Sequence, residues 1–352
     1  MKKLIDKLYE LNNLDDKELL ELLKGMNEED IIYLKSKALE VRKKYYGNKV
    51  YLRGLIEFTN YCSRDCMYCG IQRGNSLADR YRLSLEEIMS ACKMGYELGY
   101  RTFVLQGGED GYYTDDKIVK IITSIKNKYP ECAITLSIGE KPYKSYKEYY
   151  KAGADRYLLR HETADKKLYE SLHPTGSFEN RIKCLWNLKE IGYQVGAGFM
   201  IGLPNQTYEH YVKDLRFLKE LEPHMVGIGP FIPHKDTLLA KEKGGTVEMT
   251  TVLLSIIRLM LPEVLLPATT ALGTLHPTGR EKGLKAGANV VMPNLSPISV
   301  REKYALYDGK ICTGDEAAEC RMCIERRINS AGFSVDLSRG DNILWRDRRY
   351  VY

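Results

Sequence analysis

The 352-residue chain predicts an α/β protein, a (βα)8 barrel of the TIM type with an N-terminal helical preface and a C-terminal extension. Three observations carry that expectation. Short apolar runs alternate with stretches of helical periodicity, and the alternation repeats eight times over about 250 residues, the usual size of such a barrel. Glycines stand just past helical stretches, at Gly99, Gly153, Gly192 and Gly287, where a left-handed C-cap is needed. Polar clusters follow several apolar runs, and barrels carry their chemistry at the C-terminal ends of strands. A doubly wound sheet is the alternative reading of the same alternation.

In chain order, residues 1–48 read as helices that close the barrel. Asn13-Leu-Asp-Asp16 and Asn27-Glu-Glu-Asp30 supply caps for segments 17–23 and 27–46. Residues 49–307 form the barrel, with strand-like runs at 52–58, 102–106, 133–138, 156–160, 194–200, 225–231, 264–269 and 289–293. Helical stretches separate them near 84–98, 114–128, 144–152, 164–191 (broken at His173-Pro174), 207–221, 247–261, 278–286 and 299–306. Residues 308–352 form the extension. No low-complexity segment or long linker divides the chain, so the three parts read as one structural unit.

Composition narrows the function. With 44% apolar and 28% charged residues the chain has ample core. The net charge of +6 is spread out, without a basic run interleaved with aromatics, and gives no case for nucleic acid. No apolar stretch reaches the ~18 residues of a membrane span, and the N-terminus has no apolar signal segment. The expectation is a cytoplasmic protein with reduced thiols. Its nine cysteines then argue for metal or core positions. Cys92, Cys132 and Cys184 stand alone on helices or strands and read as small buried apolar residues.

The other six fall into two groups. Cys62-Ser-Arg-Asp-Cys66-Met-Tyr-Cys69-Gly70 follows the first strand directly. Three thiolates on one loop can hold three irons of a cubane [4Fe-4S] cluster, leaving the fourth iron to a small chelating molecule. Zinc is the competing reading, but it wants four ligands and usually C-x2-C pairs. C-x3-C-x2-C with an aromatic, here Tyr68, before the last cysteine resembles the radical-SAM superfamily, in which that molecule is S-adenosylmethionine (SAM). The second group is Cys312 with Cys320-Arg-Met-Cys323. It reads as a second iron–sulfur cluster, [2Fe-2S] or [4Fe-4S], with a zinc site or unliganded thiols as alternatives.

The strand ends supply SAM and substrate candidates. Gln106-Gly107-Gly108-Glu109 follows strand two, and glycines there let backbone carbonyls approach the SAM amino group. Ser137 ends strand three. Glu162, in Leu159-Arg160-His161-Glu162-Thr163, suits ribose hydroxyls, and Arg160 suits an anion. Arg181 is a candidate fork for the SAM carboxylate, and Met200 and Ile201 offer a surface for adenine. Thr269 and Thr270 suit a polar ligand deep in the barrel.

Taken together, Cys62–Gly70, the Arg80-Tyr-Arg82 run, 104–110, 152–163, Ser177-Phe-Glu-Asn-Arg181, 227–234 and Pro267-Ala-Thr-Thr270 resemble the HydE-type maturases of [FeFe]-hydrogenase, across nearly the whole chain. One departure is Gly107, where serine is expected. The resemblance implies reductive cleavage of SAM to a 5′-deoxyadenosyl radical. It also implies work on a small organometallic substrate, a cysteine-bound Fe(CO)2CN unit delivered by another maturase, with a flavodoxin or ferredoxin as reductant. Arg160, Thr269 and Thr270 would hold that substrate's anionic groups, and the Cys312 group would be auxiliary. A methylornithine-synthase-like mutase, or a non-catalytic iron–sulfur scaffold, are the competing functions.

Overall fold

The computed structural model describes residues 1–314 and 316–347. Three helices come first: α1 (Lys2–Leu11), α2 (Asp16–Gly25) and α3 (Glu28–Tyr46). Reciprocal capping boxes start two of them, Asp15 with Glu18 for α2 and Asn27 with Asp30 for α3. The alternation then runs β1 (Lys49–Leu52), β2 (Gly54–Thr59), α4 (Leu85–Glu97), β3 (Thr102–Gly107), α5 (Asp115–Lys128), β4 (Ala133–Ser137), α6 (Tyr143–Ala152), β5 (Arg156–Leu158), α7 (Lys166–Leu172) and α8 (Phe178–Ile191). It continues through β6 (Gln194–Ala197), β7 (Met200–Ile201), α9 (Tyr208–Leu221), β8 (Met225–Val226), β9 (Gly229–Pro230), α10 (Val247–Met260), α11 (Thr270–Leu275), α12 (Gly279–Lys285), β10 (Val290–Val291) and α13 (Ile298–Arg301). Helix α14 (Ala317–Ser330) and strand β11 (Ser334–Asp336) follow.

The strands close into a parallel ring. Six of them pair in the order β2-β3-β4-β5-β6-β8. Met225 bridges to Leu265, Pro267 to Val290, and Leu55 to Asn294, which joins the two ends through the seventh and eighth positions. β10 also pairs with β1, the stretch leading into β2. Strand residues are buried on both faces, as a ring filled inside and wrapped by helices requires.

Several strands are shorter than their apolar runs, for local reasons. The seventh run, 264–269, touches its neighbours only through single bridges; it contains Pro267, which has no N–H to donate. The fifth run breaks at Gly198, φ 151°, where an added Cβ would lie 2.0 Å from the Gly227 carbonyl oxygen; the chain resumes as β7, paired with β9. The fourth run stops at Leu158 because the chain turns into Arg160–Glu162, with Glu162 left-handed at φ 66°. The last barrel helix covers only Ile298–Arg301 instead of 299–306. β11 has no counterpart in the sequence reading; it pairs in parallel with β1.

The base of the ring is reached from the chain's far end. Residues at or just before the starts of β2, β3, β5, β6 and β8 all hold 339–342. Arg53 donates to the Gly340 carbonyl, Thr102 and Arg156 to that of Arg339, and Gln194 to the Asp341 carboxylate. Asn342 donates to the carbonyl of His224. Helices α2 and α3 pack against α9 and α10, and Arg42 of α3 donates to the carbonyls of Gly47, Lys49 and Ala288.

Candidate active site

The three cysteines after β2 lie on a loop that other residues fasten at both ends. Asn60, fully buried, donates to the carbonyls of Asp79 and Lys303 and accepts from Tyr81 N–H. Arg80 donates to four carbonyls, those of Asn60, Ile71, Gln72 and Asn75, and so ties the returning chain to the loop. Arg82 forms a two-pronged pair with Asp110 at 2.7 and 2.9 Å and lies 3.7 Å over the Tyr61 ring. Asp110 accepts in addition from Thr59 Oγ1. The Arg80-Tyr-Arg82 run is thus a clamp on the loop.

The β3 end presses against this loop. A Cβ on Gly108 would stand 2.2 Å from the Tyr61 carbonyl oxygen and 2.7 Å from Cys62 Cβ. That close approach brings the N–H of Glu109 within 3.4 Å of Cys62 Sγ, and Arg64 N–H lies 3.5 Å from the same sulfur. Burial raises the Cys62 thiol, and these two backbone donors oppose it by favouring the thiolate. Burial and the Cys62 thiol push the Cys66 thiol up to about 12, so metal binding there must displace a proton. Arg64 pairs with Glu109 at 2.7 Å and Glu140 at 3.1 Å. Tyr68 donates its hydroxyl to His173 Nε2 at 2.8 Å, while His173 Nδ1 donates to the Tyr169 carbonyl. Burial lowers His173 to about 4, which keeps it neutral in that relay.

These residues open onto a cavity of about 380 Å3 at the C-terminal ends of the strands. Cys62, Cys66, Tyr68 and Cys69 line one side, with Gln106, Gly107, Gly108 and Glu109 beside them. Arg160 and Glu162 after β5, Arg181 of α8 and Met200 of β7 line one wall, and Thr269 and Thr270 at the start of α11 line another. Ser137 and Ile201 do not line it. Two larger clefts, of about 810 and 550 Å3, lie elsewhere, and no cysteine lines either.

The walls hold polar atoms without partners. Arg160 Nε, Glu162 Oε2 and Thr269 Oγ1 are buried yet make no hydrogen bond. Arg160 Nη2 and Glu162 Oε2 are 3.0 Å apart but off the hydrogen-bond line. Each such group costs roughly 1–3 kcal/mol unless something binds it. Behind them His161 and Asp214 are fully buried, with His161 Nε2 3.3 Å from Asp214 Oδ1 but off the hydrogen-bond line; His161 Nδ1 accepts from Gly198 N–H.

Charged lining residues also arrive that the sequence reading did not select. Glu57, 2% exposed, pairs with Lys310 at 2.6 Å and accepts from Asn294. Burial raises its pKa, against the pull of Lys310. A carboxylate inside the apolar run Gly54-Leu-Ile-Glu57-Phe58 was a usable signal for it. Arg280 and Lys310 had none, since they come from a helix flank and from the extension. Arg280 donates to Thr270 Oγ1 at 3.2 Å and reaches Cys312 Sγ at 3.6 Å.

At the second cysteine group, Cys320 and Cys323 lie one turn apart on α14. The Cys320 thiol is raised first by a hydrogen bond with Cys312 and then by burial, so those two sulfurs meet. Among the described residues no three Cys, His, Asp or Glu side chains converge on one ion position.

Residues 56–218 match the family model of the radical SAM superfamily. The [FeFe] hydrogenase maturase subunit HydE of Thermotoga maritima is 49% identical, over 84% of this chain and 84% of its own. A 3-methylornithine synthase of Methanosarcina acetivorans is 34% identical, over 86% of each. The crystal structure of methylornithine synthase (PylB) superposes with a TM-score of 0.83 at 30% identity, covering 95% of this chain and 97% of that one. The fold, the cysteine loop and these likenesses agree: the chain is a radical SAM enzyme and belongs to the HydE-type maturases.

Proposed function

We propose that this chain processes a cysteine-bound Fe(CO)2CN precursor during assembly of the [FeFe]-hydrogenase H-cluster. Cys62, Cys66 and Cys69 would hold a [4Fe-4S] cluster, and Gln106 to Glu109, Glu162, Arg181 and Met200 would hold SAM. Together the bound cluster and SAM supply a 5′-deoxyadenosyl radical. The chain's own part is to orient and to enclose. The Gly107-Gly108 backbone would hold the SAM amino group, Glu162 would accept ribose hydroxyls, and Tyr68, bonded to His173, would cover the cluster side. Ser137, at the end of β4, and Ile201, beside Met200 in β7, belong to the same SAM reading although neither lines the chamber.

The observation that carries the substrate reading is the set of unpartnered atoms on Arg160 and Thr269, facing one chamber with Thr270. An anionic metal complex would satisfy the guanidinium and the hydroxyls through charge-assisted bonds. Other hydrogenase maturases as donors and acceptors, and a flavodoxin or ferredoxin as reductant, belong to the same reading. So does a second cluster on Cys312, Cys320 and Cys323, supported by their thiol chemistry and by the meeting of Cys312 with Cys320.

The test is Arg160→Leu in the reconstituted, reduced enzyme. SAM affinity and 5′-deoxyadenosine release without substrate should persist, while hydrogenase maturation drops at least tenfold, or ~1.4 kcal/mol. Equal losses in both would put Arg160 in the cofactor site and sink the substrate reading. Methylornithine synthase is the second reading, favoured by its superposition over nearly the whole chain. Formation of 3-methylornithine by the purified enzyme would decide for it.

A further inference from the structure

Between the chamber and the second cysteine group lies a small cavity of about 20 Å3. Cys312 and Cys320 line it, and Glu57, Thr270, Arg280 and Lys310 line both it and the chamber. Of these four shared residues, Arg280 is the one that reaches a cysteine sulfur. Its Nη1 and Nη2 lie 3.6 and 3.7 Å from Cys312 Sγ, and Nη2 also donates to Thr270 Oγ1 at 3.2 Å. One guanidinium thus spans from a cysteine of the second group to a residue assigned to the substrate. Cys312 is itself left-handed, with φ 65°, a strained conformation that persists only where the surroundings fix it.

Arg280 is 6% exposed, and no acidic side chain balances it. Glu57 pairs with Lys310 and Glu281 with Arg327, and among the described residues no carboxylate pairs with Arg280. Its Nε is buried without a hydrogen-bond partner. The neighbouring Glu281 accepts two bonds from Arg327, at 2.8 and 2.9 Å. Arg327 belongs to α14, the helix of Cys320 and Cys323, so α12 and the cysteines are tied to each other.

A buried cation beside a thiolate favours negative charge there. Reduction adds one negative charge to an iron–sulfur cluster, so Arg280 favours the reduced state of a cluster on Cys312. An anion held at Thr270 draws on the same guanidinium and offsets that effect. The two sites compete for one positive charge, and the coupling is reciprocal: reduction weakens substrate binding by the factor by which substrate opposes reduction.

We propose that Arg280 is a positioning residue that couples the second cysteine group to the chamber, so that substrate bound at Thr270 lowers the reduction potential of a cluster on Cys312, Cys320 and Cys323. It rests on the reading of those cysteines as a second cluster and of Thr270 as a substrate ligand.

The test uses the full-length, cluster-loaded protein without SAM, so that no turnover occurs. The second cluster's electron paramagnetic resonance signal is the one missing when Cys312, Cys320 and Cys323 are all replaced by alanine. Redox titration of that signal gives its midpoint, with and without a synthetic cysteine-bound Fe(CO)2CN complex whose binding is followed by equilibrium dialysis. The complex should lower the reduction equilibrium about threefold, or ~28 mV for one electron. At equal bound iron, Arg280→Met should lower it about tenfold without the complex, or ~59 mV, and abolish the shift that the complex causes. Arg280→Lys keeps the charge but not the fork; its midpoint should stay within about twofold while the shift is lost. Should Arg280→Met fail to fold, Arg280→Lys and the unsubstituted enzyme still decide. Bound complex with an unmoved midpoint, or a shift retained in Arg280→Lys, overturns the coupling. Unchanged iron in the triple variant refutes the cluster reading, and absence of bound complex the substrate reading, and either takes the coupling with it.

Discussion

Replacing Gly108 by alanine tests whether the β3 end sets the position of the cysteine loop. The new Cβ would lie 2.2 Å from the Tyr61 carbonyl oxygen and 2.7 Å from Cys62 Cβ, both parts of the loop and neither the tip of a flexible side chain. Restoring an ordinary separation, a little over 3 Å, needs a displacement of roughly 1 Å. Misplacement by about 1 Å costs on the order of 10²-fold in rate, or ~2.7 kcal/mol of barrier. The loop cannot absorb the shift cheaply, because Arg80 and Arg82 clamp it on its other side. The assay is 5′-deoxyadenosine formation per mole of bound iron after reduction by dithionite, with circular dichroism as the folding check. Gly111→Ala is the internal control, since a Cβ there meets nothing within 4 Å. Gly107→Ala should fall between, its Cβ landing 2.7 Å from a Thr59 methyl. Activity of Gly108→Ala within about twofold of the unsubstituted enzyme would refute the reasoning, as would an equal loss in Gly111→Ala.

Three other outcomes are expected. Cys66→Ala should leave a folded barrel that neither assembles the [4Fe-4S] cluster nor cleaves SAM; an intact cluster signal in electron paramagnetic resonance would contradict it. Replacing Cys312, Cys320 and Cys323 together by alanine should lower bound iron and sulfide, and unchanged iron would make them plain thiols or a zinc site. The third concerns acid stability. Burial lowers His161 from 6.5 to about 3, so between those values the unfolded chain binds the extra proton and stability falls as the solution is acidified. Above pH 6.5 the histidine contributes no slope. The loss by pH 5 amounts to about 2 kcal/mol, reduced by the Asp214 carboxyl, whose pKa burial raises and which therefore acts in the opposite sense. His161→Gln should flatten the fall in urea midpoint between about pH 7 and 5, and an identical slope in both proteins would disprove the assignment.

What could be read from the residues alone was whatever neighbours in sequence decide. Cys62, Cys66 and Cys69 lie within eight positions, so their spacing announces a shared cluster before any fold is known. Helix starts were equally local, since Asn27 caps α3 and Ser84 caps α4 through bonds three residues long. The repeating alternation implied the barrel, because parallel strands need helical crossovers between them. The strand-end positions of Arg160, Glu162, Thr269 and Thr270 then followed, and all four line the chamber.

Tertiary structure decided the rest, for reasons that no local pattern carries. The Glu57–Lys310 pair joins residues 253 positions apart, and a lysine in an irregular extension looks like any surface lysine until the chain returns to the barrel. Arg280 enters the wall because α12 delivers it beside Thr270, not because its neighbours mark it. Prolines and glycines cut the seventh and fifth strands short, since a missing N–H or a close carbonyl matters only once the neighbouring strand is in place. Residues 339–342 reach the barrel floor because buried Arg53 and Arg156 need carbonyl acceptors, and only the folded ring brings those two arginines together.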